Sequence, residues 1–511
     1  MENLAEALKL LFHWQNIFGM FFGVILGQWM GALPGLTSSM AIAVLIPLTY
    51  FMPTWAAIIM LVGIYKGALF ADSTAAILIK TPGMPAAAAV MIDGYPLAQQ
   101  GKAGKALKMA LYASVCGNMF ADLCLIFCSA GLALFALQFG PSEFTTLILF
   151  SMTIVAGVSG RSFLKGIIAA SFGTLLATVG SGPMSGSLRF TFGRIELIDG
   201  LPLIPVLIGL LAISEILKQL EYSNKQLALT QIKKKISSKE DNRVSWTEFK
   251  NCGASILRGS VIGTIIGALP GLGATVATFL AYNETKRTSK HPEKFGKGAL
   301  EGVAATDAAS SAVAGSNMIP LLAFGIPGDL VAAILLGAFL IHGITPGPLI
   351  FIENTVTIYA IFLGLILANF VNLFTGQFFI MMAVKVLSIP KRILYPSIIA
   401  IAVIGSYSFN GSLFDVKIMF IFGVLGYFMT KYGFSTISFL IGFILGPILE
   451  DWVRRSLIIS DNNISIFFSS PLSLFFIILT VVVTYLLIKQ RGSLLKLENE
   501  NGMGTNTNTA D

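Results

Sequence analysis

The sequence predicts an all-α polytopic membrane protein, with two inverted-topology repeats that carry re-entrant or broken-helix hairpins, and about 10 to 12 membrane segments. Of the 511 residues, 55% are hydrophobic and 12% are charged, about half the charged share of a soluble protein. Apolar runs of about 20 residues, long enough to cross the bilayer as helices, recur along nearly the whole chain. The 51 glycines fit close helix packing and broken helices.

The composition and the absence of certain motifs also exclude several classes of function. The net charge is +8, but the basic residues sit in particular loops, as the positive-inside rule requires, so we expect no nucleic-acid binding. The four cysteines form no CxxC pair and have no histidine nearby, which indicates neither a metal site nor a redox motif. No P-loop is present. We therefore expect no enzyme, no catalytic residue and no cofactor, and no metal other than Na⁺ as a coupling ion.

An internal repeat is the strongest signal in the chain. The run Gly-Ala-Leu-Pro-Gly-Leu at 31–36 reappears at 267–272, and both copies follow glycines spaced by four, so Pro34 matches Pro270, 236 positions later. Downstream, KGALFADSTAA matches EGVAATDAASS, which pairs Asp72 with Asp307 and Gly67 with Gly302. Pro82-Gly83 then matches Pro327-Gly328, and Gly94 matches Gly343, after an insertion of about ten residues in the second copy. We assign residues 16–218 to repeat 1 and 255–450 to repeat 2.

Loop charges predict that the copies are inverted. The loop around 286–297 carries five basic residues, whereas its first-copy counterpart, FMPTWAAIIM, has none. The later loop of the first copy carries Lys102, Lys105 and Lys108, and its second-copy counterpart, GITPGPLIF, is uncharged. Because basic loops are cytoplasmic, equivalent loops lie on opposite sides of the membrane. This places the N-terminus outside and the C-terminus in the cytoplasm.

A basic connector at 219–254 must also be cytoplasmic, yet only one apolar segment separates it from the basic loop at 286–297. That segment must enter and leave on the same side, so we predict a hairpin that turns at Pro270-Gly271, and by the repeat a matching one near Pro34-Gly35. Residues 1–15 read as an interfacial amphipathic helix, 465–489 as an extra transmembrane helix and 497–511 as a disordered tail. The remaining spans are predicted at 109–138, 142–159, 163–180, 200–218, 355–384, 394–410, 416–430 and 435–449.

The hairpin tips are the candidate substrate site. Irregular backbone at membrane depth is tolerated only where protein or a cavity surrounds it, and a restarting helix offers free N–H groups and a positive dipole end that suit a carboxylate. The alternative for the tips is that their glycines and serines serve helix packing alone. Lys80, before Thr81-Pro82-Gly83, could hold an anionic substrate, or its side chain could snorkel to the membrane interface. The candidate residues are Gly31, Pro34, Gly35, Thr37, Ser38, Ser39, Lys80, Gly267, Pro270, Gly271, Gly273 and Thr275.

Two aspartates inside apolar segments are candidates for ion coupling, because a carboxylate there is costly. Asp72 stands beside Ser73 and Thr74, and Asp307 stands near Ser310 and Ser311. Such oxygens are the hard ligands that Na⁺ would take, and a lone aspartate could equally carry a proton. The alternative is an aspartate that caps a broken helix. Asn118 and Asn317 are more readily explained by polar packing.

The motifs GALPGLTSS, KGALFADSTAAILIKTPGMPAA, GALPGLGATVATFLAY and EGVAATDAASSAVAGSNMIPLLAFGIPGD resemble the large membrane subunit of the tripartite tricarboxylate transporters, the TctA type. The resemblance covers nearly the whole chain. It implies ion-driven secondary uptake of citrate or related carboxylates across the bacterial inner membrane. It also implies two partners, an extracytoplasmic solute-binding protein and a small four-helix membrane subunit, besides the carboxylate and the lipid bilayer.

Two other classes were weighed. A binding-protein-independent carboxylate or anion carrier would show the same membrane segments and candidate sites but would need no partner proteins. An intramembrane aspartyl protease would also use two membrane aspartates, here Asp72 and Asp307, but FGIPGD does not reproduce a GxGD signature.

Overall fold

The fold was analysed in a computed structural model that describes residues 2–158, 162–182, 184, 186–223, 242–387 and 389–500. This part of the chain is almost entirely helical, with one antiparallel pair of two-residue strands, Gly180–Ser181 and Leu188–Arg189. Within it, eight helices are long and apolar enough to cross a membrane, or nine if one bent pair counts as a span. The predicted all-α polytopic membrane class is confirmed.

The described residues of the first half of the chain form ten α-helices, and the last two are joined by a π-helical turn at Gly209–Ile213. They are α1 (Glu2–Leu11), α2 (Trp14–Ala32), α3 (Ser38–Thr49), α4 (Thr54–Ile79), α5 (Ala87–Gln99), α6 (Ala103–Ala136), α7 (Pro141–Val158), α8 (Phe163–Ala177), α9 (Leu203–Ile208) and α10 (Ser214–Ser223).

The second half adds twelve α-helices among the described residues. They are α11 (Trp246–Ala268), α12 (Gly273–Thr288), α13 (Leu300–Ser316), α14 (Met318–Phe324), α15 (Leu330–Ile341), α16 (Ile350–Glu353), α17 (Thr355–Leu387), α18 (Lys391–Asn410), α19 (Leu413–Lys431), α20 (Thr436–Ile459), α21 (Ile466–Ser469) and α22 (Pro471–Glu500).

The predicted spans coincide in position with α6 to α8 and α17 to α20. However, α7 and α8 are among the shorter apolar helices, and α20 ends at Ile459, beyond the predicted end at residue 449. The start of the second repeat also differs: α11 begins at Trp246, inside the predicted connector. Ser245 accepts a hydrogen bond from the N–H of Glu248, whose side chain returns to the N–H of Ser245, and this capping box starts the helix. The lysines at 225, 233, 234, 235 and 239, Arg161, and residues 501–511 of the predicted tail lie outside the described residues.

The helices α3 and α15 are apolar but too short to cross the bilayer. Both α3 and α15 have 12 residues, about 18 Å of helix against about 30 Å of hydrocarbon. α3 follows α2 after the turn at Pro34-Gly35, and α12 follows α11 after Pro270-Gly271, so both predicted tips are breaks between helices.

Each hairpin is held by its glycines against a long helix. Gly23, Gly27 and Gly31 of α2 lie against the backbones of Met60, Ile64 and Ala68 on α4. In the second copy, Gly259, Gly263 and Gly267 of α11 lie against Ala305, Ala309 and Val313 on α13. A Cβ at any of these six glycines would overlap the facing atoms, so only glycine permits this approach.

These contacts correct the predicted pairing of Asp72 with Asp307. The residues that face equivalent glycines, such as Met60 and Ala305, are 245 positions apart. The same spacing separates the left-handed caps at Lys80, which ends α4, and at Gly325, which ends α14 after α13. By this spacing Asp72 corresponds to Asn317, and the matched pair Gly67 and Gly302 was wrong for the same reason. The additional residues of the second copy lie in α12 and the segment 289–299 that follows it, before α13. The duplication and the inversion of the two copies stay predictions.

Candidate functional site

At the first tip, α2 ends and α3 restarts around Pro34-Gly35. Gly35 has φ +88°, a left-handed conformation that favours glycine. Thr37 caps α3: its hydroxyl accepts a hydrogen bond from the N–H of Met40 at 3.2 Å and lies 2.8 Å from the Ser39 hydroxyl. Ser38 is buried, and its hydroxyl donates to the sulfur of Met84 at 3.5 Å. The first tip is therefore lined with hydroxyls, but one helical N–H is already satisfied.

The second tip has the same turn without the cap. Gly271 repeats the φ of +88°, Gly273 has φ +63°, and the N–H of Gly271 donates to the carbonyl oxygen of Gly328 at 2.6 Å. α12 begins at Gly273, and no side chain caps it. Thr275, in its first turn, is half-buried. The uncapped N–H groups make this the stronger of the two helix N-termini for an anion.

Behind the first tip, the segment after α4 folds back so that Asp72 meets the hairpin. The N–H of Met84 donates to Oδ1 of Asp72 at 2.8 Å. A Cβ built on Gly83 would lie 2.5 Å from Oδ1 of Asp72, 3.4 Å from the carbonyl oxygen of Leu36 and 3.6 Å from that of Gly31. The Asp72 carboxylate and the two carbonyl oxygens therefore pack closely around Gly83, where a larger residue would not fit.

The corresponding contacts at the second tip lie around Gly328. There Oδ1 of Asn317 and the carbonyl oxygen of Gly267 take the places of Asp72 and Gly31. The sequence analysis favoured polar packing for Asn317, and its Nδ2 donates to the hydroxyl of Tyr65 at 3.2 Å.

Asp307 is nevertheless buried close to Asp72, against the neighbouring residue Ser73. The hydroxyl of Ser73 on α4 donates to Oδ1 of Asp307 on α13 at 2.5 Å, which joins the two copies. Within the described structure, Oδ2 of Asp307 and the hydroxyl of Thr74 are buried without a hydrogen-bond partner. Ser310 is also buried, whereas the Ser311 hydroxyl lies 2.7 Å from that of Ser114 on α6 and is engaged in helix packing.

Lys80 is not brought into this interior. It is exposed, and its ammonium lies 5.6 Å from the centre of the Tyr95 ring. Such a position is typical of a lysine that reaches an interface. Its assignment as a substrate ligand stays a prediction.

A second charged group inside the helices was missed by the sequence analysis. Lys66 and Asp122 are both fully buried and form an ion pair. The ammonium also donates to Oδ1 of Asn369 at 2.9 Å and to the carbonyl oxygen of Leu365 at 3.1 Å. The network ties α4 to α6 and α17. A lysine and an aspartate inside long apolar runs were visible signals of it.

The chemistry of the tips suits two opposite charges at once. The N-termini of α3 and α12 present donors, while the last carbonyls of α2 and α11 present acceptors a few residues away. Among the described residues, no group of three or more His, Cys, Asp or Glu side chains is arranged to hold a metal ion.

Among the described residues, broken helices with matching turns lie between eight or nine helices that are long and apolar enough to cross a membrane, and ionisable residues are buried between these helices. Together these features define a membrane transport protein. A comparison with protein families identifies the family of this chain. The model of the tripartite tricarboxylate transporter TctA family matches residues 17–441, so the chain belongs to this family and is the membrane component of such a transporter.

Two similar proteins of known sequence cover different shares of the chain. An "uncharacterized 52.8 kDa protein in TAR-I ttuC' 3'region" of Agrobacterium vitis is 38% identical over 474 residues, which cover 93% of each chain. An "uncharacterized protein in TAR-II ttuC' 3'region" of the same organism is 39% identical over 211 residues, 41% of this chain and 87% of that protein. No solved structure matches the chain.

Proposed function

We propose that this protein is the permease subunit of a binding-protein-dependent system that takes up citrate or a related carboxylate across the bacterial inner membrane. The driving force is a gradient of Na⁺ or H⁺, so the protein is a secondary active transporter. The observation that carries the proposal is the pair of hairpin breaks at Pro34-Gly35 and Pro270-Gly271, with Asp72 folded against the first.

The anion is assigned to the restarting helices. The first turns of α3 and α12 offer N–H groups and a partial positive charge, and Thr37, Ser38, Ser39 and Thr275 add hydroxyls. A carboxylate with several negative charges can use both tips, since each can bind one carboxyl group.

The coupling ion is assigned to the ending helices. Oδ1 of Asp72 and the carbonyl oxygens of Gly31 and Leu36 lie near one another around Gly83, and oxygen ligands of this kind suit Na⁺. Asp72 could instead carry a proton, and Asp307 with Ser73 provides a second acidic group next to it. The measured ion dependence of uptake separates Na⁺ from H⁺.

Transport then requires the tips to change sides. In the structure, Asp93 of α5 clamps the end of the second hairpin: Oδ1 accepts N–H groups from Gly296, Gly298 and Ala299 at 2.8 to 3.0 Å, and Oδ2 accepts the Tyr282 hydroxyl at 3.0 Å. This segment is predicted to be cytoplasmic. We infer that the unit carrying both tips moves against the longer helices and that the Asp93 contacts break when it opens inward.

The proposal includes two protein partners, an extracytoplasmic solute-binding protein that delivers the anion and a small four-helix membrane subunit. The test is uptake of labelled citrate and other di- and tricarboxylates into proteoliposomes that hold this chain and the small subunit. Imposed sodium and proton gradients are compared, with and without the binding protein. Uptake only when the binding protein is added is expected; equal uptake without it would support the autonomous carrier instead.

A further inference from the structure

Two buried acidic centres lie at the junction of α4, α6 and α13. Asp307 on α13 accepts the hydroxyl of Ser73 on α4, and Asp122 on α6 forms the ion pair with Lys66 on α4. Oδ1 of Asp122 also lies close to Gly315 of α13, where a Cβ would approach it to 2.6 Å. Because Lys66 and Ser73 are two turns apart on α4, the two centres are separated by about 10 Å along that helix.

A row of polar side chains connects the two centres. Ser114, Asn118 and Asp122 are spaced by four on α6, so they share one face of that helix. Asp307 and Ser311 have the same spacing on α13. The two faces touch, since the hydroxyls of Ser114 and Ser311 lie 2.7 Å apart. The row thus runs from one acidic centre to the other in steps of one hydrogen bond or one helical turn.

Four polar atoms in this row have no partner within the described part of the chain. They are Oδ1 and Nδ2 of Asn118, Oδ1 of Asp122 and Oδ2 of Asp307, and all three residues are fully buried. Buried polar groups of native proteins are nearly always satisfied, by protein or by ordered water. Side chains one turn apart have Cβ atoms about 5–6 Å from each other, a separation at which a water molecule bridges polar groups. The row therefore offers buried water the several polar partners that it requires.

We propose that this row is a proton pathway between Asp307 and the Lys66–Asp122 pair, in which water molecules anchored by Asn118 carry the proton. Oδ1 of Asp307 accepts from Ser73, so Oδ2 is the oxygen that holds the proton. When the proton leaves, Asp307 becomes a carboxylate, and the carboxylate of Asp122 takes up the proton and becomes neutral. The inference rests on the proposed function in its proton-driven form.

The Lys66–Asp122 pair connects this proton to the helices. Once Asp122 is neutral, the Lys66 ammonium loses its charged partner and keeps only neutral acceptors, among them Oδ1 of Asn369 on α17. The tie between α4 and α6 is then weaker. Because α4 packs along α2, the first helix of the first hairpin, arrival of the proton at Asp122 frees that hairpin to move.

The test is uptake into proteoliposomes that hold the full chain and the small subunit, with the binding protein outside and an imposed proton gradient. The probe is labelled citrate, or whichever di- or tricarboxylate the chain takes up fastest. A pH-sensitive dye inside the vesicles records proton entry. Asn118→Leu, similar in shape but without polar atoms, should lower proton-driven uptake at least tenfold. Asn118→Ser, which is smaller but can still hold water, should retain several-fold more uptake than the leucine variant.

A packing role for Asn118 predicts the opposite order, because serine leaves a cavity at this position and leucine does not. Asn372→Leu is the matched control. Asn372 is another fully buried asparagine whose Nδ2 lacks a partner among the described residues, and it lies on α17 outside the row. Gln28, which donates to Asn372, keeps its hydrogen bond to Thr375 in this variant. Uptake by Asn372→Leu should stay within twofold of the unchanged protein.

The pathway is overturned if Asn118→Leu takes up the carboxylate like the unchanged protein, or if Asn118→Ser is no better than Asn118→Leu. If the unchanged protein takes up the carboxylate without proton entry, the pathway is refuted while carboxylate transport stands. If no gradient of Na⁺ or H⁺ drives uptake of any carboxylate, the proposed function fails as well.

Should Asn118→Leu fail to fold, a second variant tests the same row. Ser114→Ala combined with Ser311→Ala removes the hydroxyl contact between α6 and α13 and should lower proton-driven uptake several-fold. Ser129→Ala, which removes another fully buried hydroxyl of α6, is its control and should leave uptake unchanged. Equal uptake by the double variant and this control would equally refute the pathway.

Discussion

The hydroxyl of Ser73 on α4 donates to the carboxylate of Asp307 on α13 at 2.5 Å. This hydrogen bond joins the two copies in the interior, one residue from Asp72. Removing the hydroxyl leaves a fully buried carboxylate with one fewer partner.

We expect Ser73→Ala to reduce uptake less than Asp307→Asn does, because the carboxylate remains in the alanine variant. Asp307→Asn should abolish carboxylate uptake while leaving membrane insertion unchanged. Uptake into proteoliposomes and the amount of chain recovered in the membrane measure the two effects. Full transport by Asp307→Asn would remove this aspartate from the site.

Replacing Asp72 should also impair uptake. Asp72→Asn keeps the size of the side chain and can still accept from the N–H of Met84, but it removes the negative charge that faces Gly31 and Leu36. Uptake should fall at least tenfold, about 1.4 kcal/mol or more in the free energy of the rate-limiting step. Uptake rates under a fixed ion gradient provide the measurement, with Asp415→Asn on α19 as a control for losing a buried carboxylate elsewhere. Equal loss in both variants would show that the effect is not specific to the tip.

Gly263 tests the packing of the second hairpin. A Cβ there would overlap the backbone of Ala309 on α13, so Gly263→Ala should destabilise the protein by about 1–3 kcal/mol. Gly253 lies on the same helix with open space around its Cβ position, and Gly253→Ala should be neutral or slightly stabilising, since alanine favours helix. Thermal unfolding in detergent compares the two variants. A lower midpoint for Gly253→Ala than for Gly263→Ala would contradict the packing described for α11.

Lys66 tests the buried ion pair. Lys66→Met leaves Asp122 buried without its cation, at a cost of about 3–5 kcal/mol in stability. The double variant Lys66→Met with Asp122→Leu removes both charges and should recover most of that loss. Denaturation midpoints of the single and double variants form the cycle. A double variant no more stable than the single one would show that the pair is not what holds α4 against α6 and α17.

The positions of the helices could be predicted from the sequence more accurately than the residue-by-residue match between the two copies. Long apolar runs have few alternatives in a membrane, so α17 to α19 were placed within a few residues, and Pro-Gly after a glycine-spaced helix located both breaks. The pairing of Asp72 with Asp307 failed because a short run of similar letters, KGALFAD and EGVAATD, outweighed the helix packing that only the structure reveals.

The buried networks were harder to foresee. Lys66, Asp122 and Asn369 are far apart in the chain and meet only because α4, α6 and α17 pack together. Their types were visible in the sequence, but their partners depend on helix rotation and depth. The same holds for Asn317, whose partner Tyr65 lies on α4.

The central claim is that the hairpin tips are exposed to each side of the membrane in turn. Thr275→Cys, in a chain whose four native cysteines are replaced by alanine, can be labelled in oriented vesicles by an impermeant thiol reagent added to either side. Lys290→Cys and Asn462→Cys are controls expected to label only from the cytoplasm and only from outside, respectively. During turnover, the tip cysteine should label from both sides, and added carboxylate should slow its labelling. Labelling from one side alone under every substrate and ion condition would contradict the account.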